Sequence, residues 1–281
     1  MTILWAVILG LVQGLAEFLP ISSSGHLSIL QNLFKLRQAE GSLFFDVLLH
    51  LGTLVAVCIY YRRDLVAMVT EVLSFCDTMG KKSKAPAGQP KRRYPAARLV
   101  LMLIVATLPL FLVLPINDKV ELLYYKTGFI GAVLILTGVM LYASDRMPKG
   151  TKNEKTMTIG NALIVGLCQA VATIPGLSRS GTTISAGLAT GLDREFAVKF
   201  SFLLSIPAVL GANLLSLIKA IKTGIDVSSL PAYLIGMVVA GVSGYLALGL
   251  INMLVKKGKF GGFAYYCVGM GALTIILSII L

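Results

Sequence analysis

The sequence predicts an all-α polytopic membrane protein, made of two inverted-topology repeats that each hold a re-entrant helix–loop–helix and three transmembrane helices. Three observations indicate this fold class. Of the 281 residues, 56% are hydrophobic and only 14% are charged, whereas soluble domains carry about 25% charged residues. Apolar runs of about 20 residues, the length that crosses a bilayer, recur along the chain. The second half of the sequence also matches the first at a constant offset of 156 positions.

The net charge of +12 is better explained by orientation in a membrane than by binding to nucleic acid. Many of the Lys and Arg residues lie in segments between the apolar runs. Such basic residues collect in the cytoplasmic loops of membrane proteins. We therefore predict that the lipid bilayer surrounds the chain and that nucleic acid is not a partner.

The first predicted element is a re-entrant hairpin. An apolar segment over residues 2–18 is followed by Pro20, which a helix interior tolerates badly, and a second short segment covers about 27–34. Neither segment suits a full crossing, so we expect the chain to enter to mid-depth, turn at the sequence PISSSG and return. Irregular backbone at membrane depth is tolerated only beside protein or water, so this turn should line a cavity.

Three transmembrane spans are predicted next, at about 41–61, 98–114 and 127–145. A polar, basic loop over about 62–98 separates the first two spans, and its Pro- and Lys-rich centre predicts a mobile cytoplasmic segment. A nearly neutral turn separates the second and third spans. A basic connector at 146–155 follows, and repeat 1 covers about 1–150.

Repeat 2 covers about 151–281, and its predicted spans lie near 196–220, 230–254 and 262–281. Matching pairs between the repeats include Gln13 with Gln169, Ser22 with Ser178, Ser24 with Ser180, and Gly25 with Gly181. Both repeats would form a single membrane domain over 1–281. Because each repeat crosses the membrane three times, the second must be inverted relative to the first.

The basic segments fit this inversion. If the N-terminus lies outside, then 62–98, 146–155 and the lysines at 256–259 all fall on the cytoplasmic side. Both termini are then predicted to lie outside. Inverted repeats with broken helices place their working site near the midplane, where the two breaks meet.

Glu17 is the first candidate functional residue. Gly10, Gln13, Gly14 and Glu17 share one helix face. A packing seam of small residues would explain the glycines, but a carboxylate inside a membrane is by default a functional residue. Gln13 is open to both interpretations, because a glutamine can simply bond to another helix.

The two serine-rich turns indicate an anion site. Each leads into a helix start, where backbone N–H groups and the helix dipole favour an anion. If the turns meet, the guanidinium of Arg179 joins them, and arginine binds phosphate through paired hydrogen bonds. The alternative is that the serines are N-caps and that Arg179 extends to a bilayer surface. The predicted substrate-binding residues are Ser22, Ser24, Gly25, Ser178, Ser180, Gly181 and Thr182.

The two histidines receive different interpretations. His26 follows a cluster of hydroxyls in the proposed cavity, which favours acid–base or nucleophilic work over a structural role. His50 lies among apolar neighbours, and we interpret it as structural. Asp46 lies in the same apolar segment, and its role, structural or functional, stays open.

These motifs resemble those of the bacitracin-resistance family of undecaprenyl-diphosphate phosphatases. Gln13 and Glu17 match an (E/Q)xxxE element, FLPISSSGH follows it, and PGLSRSGTT covers 175–183. The resemblance extends over essentially the whole chain. It implies hydrolysis of undecaprenyl diphosphate to the monophosphate and inorganic phosphate, for recycling of the cell-wall lipid carrier and for bacitracin resistance. It further implies a multi-pass enzyme of the bacterial cytoplasmic (inner) membrane, with its site on the outer side.

The resemblance also implies a divalent cation, Mg²⁺ or Ca²⁺. By motif position, Glu17 and Gln13 would bind this cation or handle protons. Gln13 stands where the family also allows Glu, which leaves one negative charge fewer for a metal.

Further roles are implied by motif position. Ser23 and His26 would form the attacking or acid–base pair, while Arg179 with Ser178 and Ser180 would hold the diphosphate. The sequence leaves open whether Ser23, His26 or water attacks phosphorus. Phosphoryl transfer depends mainly on positioning and on charge stabilisation, so Arg179 and the cation can matter more than the nucleophile.

The main alternative comes from another class. A flippase for lipid phosphates, or an anion transporter, could use the same inverted repeats. The polar groups favour phosphoryl transfer over simple coordination, and phosphate release would distinguish the two. The sequence also leaves a homodimer open.

Overall fold

The protein is described by a computed structural model that covers residues 2–36, 42–80, 94–223, 226–256 and 261–280. All its named elements are helices. They are α1 Ile3–Phe18, α2 Ser23–Leu33, α3 Ser42–Tyr60, α4 Arg62–Gly80, α5 Pro95–Thr107, α6 Asn117–Leu123, α7 Thr127–Asp145, α8 Ile159–Val171, α9 Arg179–Ala189, α10 Arg194–Thr223, α11 Leu230–Lys256 and α12 Gly262–Ile280. Short 3-10 turns at Leu108–Leu112 and Leu114–Ile116 join α5 to α6, and a third at Val227–Ser229 precedes α11.

The all-α, multi-pass membrane architecture is confirmed. Six helical stretches of the described chain are long and apolar enough to cross a membrane, and they contain α3, α5 with α6, α7, α10, α11 and α12. These are the six predicted spans. Large apolar side chains project outward from them, as Leu246 and Ile279 do at 65% and 79% exposure. Such a surface suits contact with lipid tails.

The predicted loop over 62–98 is wrong in part. Residues 62–80 form helix α4, and α5 begins at Pro95. The carboxylate of Glu71 on α4 accepts hydrogen bonds from the backbone N–H groups of Ala96 and Ala97, so it caps the start of α5. The polar composition of α4 concealed its helical character. The Lys- and Arg-rich centre, 81–93, and the lysines at 257 and 259 lie outside the described residues.

The two hairpins begin at matching positions in each half, and their second helices have the same length. Helix α1 begins at Ile3 and α8 at Ile159, and α9 starts and ends 156 positions after α2. Helices α1 and α8 have 16 and 13 residues, too few to cross a bilayer of about 30 Å. The orientation of the two halves across the membrane stays a prediction.

Close packing of α1 against α11 fixes the first hairpin. An added Cβ at Gly14 would lie 2.0 Å from Ser243 Oγ and 2.5 Å from the carbonyl oxygen of Ala240. Only glycine allows the two backbones to approach so closely, which is how small residues act between membrane helices. The seam that the glycines of α1 predicted is therefore present, and Gln13 and Glu17 lie beside it.

Candidate active site

The break between α1 and α2 is built around Pro20 and Ser22. Helix α1 ends at Phe18, and α2 starts immediately after Ser22. Ser22 has a φ of 69°, in the left-handed region, and its hydroxyl accepts a hydrogen bond from the Gly25 N–H at 3.2 Å. A serine N-cap satisfies one of the unpaired donors at a helix start. The cap thus holds an unusual backbone turn in place.

The second break repeats this arrangement. Ser178 caps α9, because its hydroxyl accepts from the Gly181 N–H at 3.1 Å. In each hairpin the capping serine also contacts the serine two positions later, Ser22 with Ser24 and Ser178 with Ser180, both at 3.3 Å between hydroxyl oxygens. The capping role, weighed as the alternative for these serines, is therefore present in both halves.

Glu17 joins the two hairpins. One of its carboxylate oxygens, Oε1, is paired with the Arg179 guanidinium through Nη2. The other, Oε2, accepts from the Ser23 hydroxyl at 2.6 Å and from the Gln13 amide at 3.0 Å. Glu17 is 7% exposed, so the carboxylate is buried with its counter-ion. The predicted meeting of the two hairpins is thus realised at this ion pair.

Both tips open into one cavity of about 740 Å³. One face of α3 forms a wall of this cavity, with Leu43, Asp46, Val47 and His50 at helical spacing. Part of α6 and the middle of α10 complete the enclosure. A volume of this size suits a small-molecule headgroup.

The predicted site residues divide into two groups. Those that line the cavity are Glu17, Ser22, Ser23, Ser24, Ser178, Arg179 and Ser180. Those that do not are Gln13, Gly25, His26, Gly181 and Thr182. Gly25 and Gly181 act through their capped N–H groups, and Gln13 acts through its bond to Glu17.

His26 faces away from the cavity. Its Nδ1 lies 2.9 Å from the carbonyl oxygen of Ser22, and its Nε2 lies 2.8 Å from the hydroxyl of Tyr266 on α12. The two rings also stack, with centroids 5.6 Å apart. Both ring nitrogens thus have partners, and the structure does not bring His26 into contact with Ser23. Its predicted acid–base role stays a prediction.

Sequence reasoning missed His50. Its Nδ1 lies 2.8 Å from the carbonyl oxygen of Asp46, and since a carbonyl oxygen can only accept, Nδ1 is the donor. The other nitrogen, Nε2, lies 4.0 Å from the Glu17 carboxylate. Asp46 also lines the cavity and accepts from Gln31 at 2.8 Å. The apolar neighbours of His50 in sequence gave no sign of this position.

The residues fit a cation only in a limited way. Among the described residues, no group of three or more His, Cys, Asp and Glu side chains could hold a metal ion. Gln13 keeps one buried amide oxygen without a partner next to Glu17. One carboxylate and one amide oxygen suit Mg²⁺, which is usually held by one or two carboxylates together with phosphate and water. They supply fewer ligands than Ca²⁺ takes.

Comparison with known proteins gives consistent matches over nearly the whole chain. The family model described as "Bacitracin resistance protein BacA" matches residues 6–273. A protein named undecaprenyl-diphosphatase from Methanosphaera stadtmanae is 42% identical over 281 residues, 99% of each chain. A protein of the same name from Methanobrevibacter smithii is 44% identical over 99% of each chain. Another, from Carboxydothermus hydrogenoformans, is 40% identical over 97% of this chain and 96% of its own. Both breaks, with Glu17 and Arg179, lie inside the residues that the family model matches.

Proposed function

The chain belongs to the Bacitracin resistance protein BacA family, and we propose from this that it hydrolyses undecaprenyl diphosphate to undecaprenyl phosphate and inorganic phosphate. The matches to relatives named undecaprenyl-diphosphatase extend over almost all of this chain and almost the full length of each relative. The family description further supports a role in resistance to bacitracin.

One observation in the site carries the chemical proposal. The hydroxyl of Ser23 donates to Glu17 at 2.6 Å, at the wall of a cavity that Arg179 also lines. A nucleophilic hydroxyl, a carboxylate base within hydrogen-bond reach of it and a guanidinium that can bind the phosphate thus lie at one cavity. This set matches the requirements of phosphoryl transfer, which depends on positioning and charge stabilisation.

The proposed reaction starts at Ser23. Its oxygen forms a bond to the terminal phosphorus while the bond from that phosphorus to the bridging oxygen breaks. The electron pair leaves with the lipid monophosphate, and the serine proton moves to Glu17. Water then attacks the phosphorus of the phosphoserine, and the bond from that phosphorus to the serine oxygen breaks. Inorganic phosphate leaves with both hydrogens of the water, and Glu17 returns its proton to Ser23. Direct attack by water, oriented by the same carboxylate, is the alternative that the sequence left open.

Arg179 has two roles in this proposal. Its ion pair with one oxygen of Glu17 positions the carboxylate so that the other oxygen accepts from Ser23. Its guanidinium also faces the cavity, where it would offset the charge that develops on the phosphoryl oxygens. Removal of such a charged donor typically lowers turnover by about 10²–10³-fold.

A divalent cation, Mg²⁺ or Ca²⁺, is part of the proposal. Glu17 and the amide oxygen of Gln13 are the residues that would hold it. When bound, it would neutralise charge on the diphosphate oxygens. The donor set favours Mg²⁺, because phosphate and water can supply its remaining ligands.

We also propose how the enzyme sits in its membrane. The cavity is lined by residues of α6, in the turn that basic-residue counting places outside. The site would therefore open to the outer side of the cytoplasmic membrane, where both termini would lie. A homodimer remains a prediction.

Phosphate release tests the proposed function. The purified chain in detergent, given undecaprenyl diphosphate and Mg²⁺, is expected to release inorganic phosphate. Ser23→Ala should lower the rate by about 10³-fold or more, since the nucleophile is lost. Ser278→Ala, at the far end of α12, should keep the wild-type rate. A wild type that moves lipid across liposomes without releasing phosphate would instead support the transporter reading.

A further inference from the structure

Gln169 has a buried amide with no partner. It lies on α8 and is 1% exposed, and neither its amide nitrogen nor its amide oxygen makes a hydrogen bond. The residue lines the cavity. A buried polar group without a partner is costly, particularly where hydrocarbon surrounds the protein. A ligand in the cavity is the natural partner for such a group.

The corresponding residue in the first half shows why Gln169 is unpaired. Gln13, at the matching position of α1, donates its amide to Glu17 four residues later. The residue four after Gln169 is Thr173, whose hydroxyl donates to the carbonyl oxygen of Ala170 at 2.8 Å. The second half therefore keeps the glutamine and lacks its acidic partner, which leaves the amide available.

Two further residues that line the same cavity also have unpaired donors. Arg179 uses one terminal nitrogen for Glu17, while the other, Nη1, is buried without a partner. The amide nitrogen of Asn213 on α10 is likewise buried and unpaired, and this residue lines the cavity. Helix α9 packs against both α8 and α10. The three groups thus lie on neighbouring helices of the second half, and all three residues line the cavity.

We propose that Gln169, with Asn213 and the free nitrogen of Arg179, binds the second phosphate of the diphosphate, the one attached to the lipid. This inference rests on the proposed function, because it assumes a diphosphate substrate. The terminal phosphate must lie beside Ser23, where the other nitrogen of Arg179 is held by Glu17. The unpaired donors then remain for the neighbouring phosphate. Since the amides are neutral, they recognise phosphate oxygens through hydrogen bonds alone.

This subsite would make the enzyme select a diphosphate over a monophosphate. In this proposal a single phosphate beside Ser23 leaves the amides without a partner, so it lacks the hydrogen bonds that the second phosphate makes. Gln169 would then be a specificity-determining residue of the binding wall.

Binding of ligands that the enzyme cannot cleave tests the inference. Methylenediphosphonate carries two phosphorus groups joined by carbon, and inorganic phosphate carries one. Both are titrated by calorimetry against the full-length chain in detergent. Gln169→Leu is expected to weaken binding of the diphosphonate by about 10- to 100-fold, the effect of losing a hydrogen bond to a charged group, and to leave phosphate binding unchanged. Asn252→Leu, which removes a half-buried amide on α11 away from the cavity, should change neither.

Heat stability separates binding from structure. Because its amide has no partner, Gln169→Leu should be at least as heat-stable as wild type without ligand. Normal binding of the diphosphonate by Gln169→Leu, whatever its heat stability, would overturn the inference. An equal loss of affinity for the diphosphonate and for phosphate would also overturn it. Phosphate release by wild type is measured alongside. If wild type releases phosphate and Gln169→Leu binds normally, only this inference fails, whereas no release by wild type refutes the proposed function itself.

Discussion

Replacing Glu17 by Gln keeps the shape of the side chain and removes its charge. The carboxylate accepts from Ser23 and Gln13 on one oxygen and pairs with Arg179 on the other. An amide can supply only one acceptor oxygen, so its nitrogen must face either the guanidinium or the two donors. Each arrangement sets donor against donor and leaves the Arg179 charge without its partner.

The expected loss of stability follows from burial. Breaking a buried ion pair by removing one partner costs about 3–5 kcal/mol. The Arg179 side chain is 17% exposed, so some water reaches it and we expect the lower end, about 3 kcal/mol. Turnover should fall by about 10²–10⁴-fold, the usual contribution of a positioned base.

A second variant separates the two effects. Glu17→Gln with Arg179→Met removes both charges, and replacing a buried pair by uncharged groups is often neutral or stabilising. The double variant should regain most of the lost stability while it stays inactive. Thermal unfolding in detergent measures the first property, and phosphate release measures the second. A Glu17→Gln variant with wild-type turnover, or a double variant no more stable than the single one, would refute the reasoning.

Two further predictions concern packing and surface charge. Gly14→Ala should destabilise the protein by about 1–3 kcal/mol, because its Cβ would overlap Ser243. Gly211→Ala is its control, since no atom beyond the neighbouring backbone of its own helix lies within 4 Å of that Cβ, and thermal unfolding should show no loss. Lys219→Ala should change stability by less than about 1 kcal/mol, although Lys219 pairs with Asp118 and Glu121, because the three side chains are exposed. A large shift in the unfolding midpoint of Lys219→Ala would contradict the expectation that these two exposed ion pairs contribute little to stability.

Much of the fold could be predicted because the signals are local. Long apolar runs mark the six spans, and Pro20 with the serines marks the first break. The repeat then placed Arg179 opposite the first hairpin, and its contact with Glu17 bears out that geometry. Helix α4 was missed because its polar composition resembled that of a loop, and the cap that its Glu71 supplies to α5 is a contact between distant residues.

Other parts of the site depend on contacts between distant segments. Nothing local to His50 shows that this face of α3 meets Glu17, and its apolar neighbours favoured a structural role. The hydroxyl beside His26 belongs to Tyr266, 240 positions away. Neither His50 nor Tyr266 lies in the repeated motifs, so no sequence pattern predicted these two contacts. The unpaired amide of Gln169 is similar, because only the folded wall shows that it lacks a partner.

The ion pair between the hairpins has a consequence for synthesis of the chain. Glu17 and Arg179 are 162 positions apart, and at roughly 5–20 residues per second the ribosome needs roughly 8–32 s to make that stretch. During this time the first hairpin has a carboxylate and no guanidinium. A lone charge is costly at membrane depth, so the carboxylate must stay protonated or remain near water. The first hairpin can therefore bury Glu17 in its charged form only when the second one arrives with Arg179.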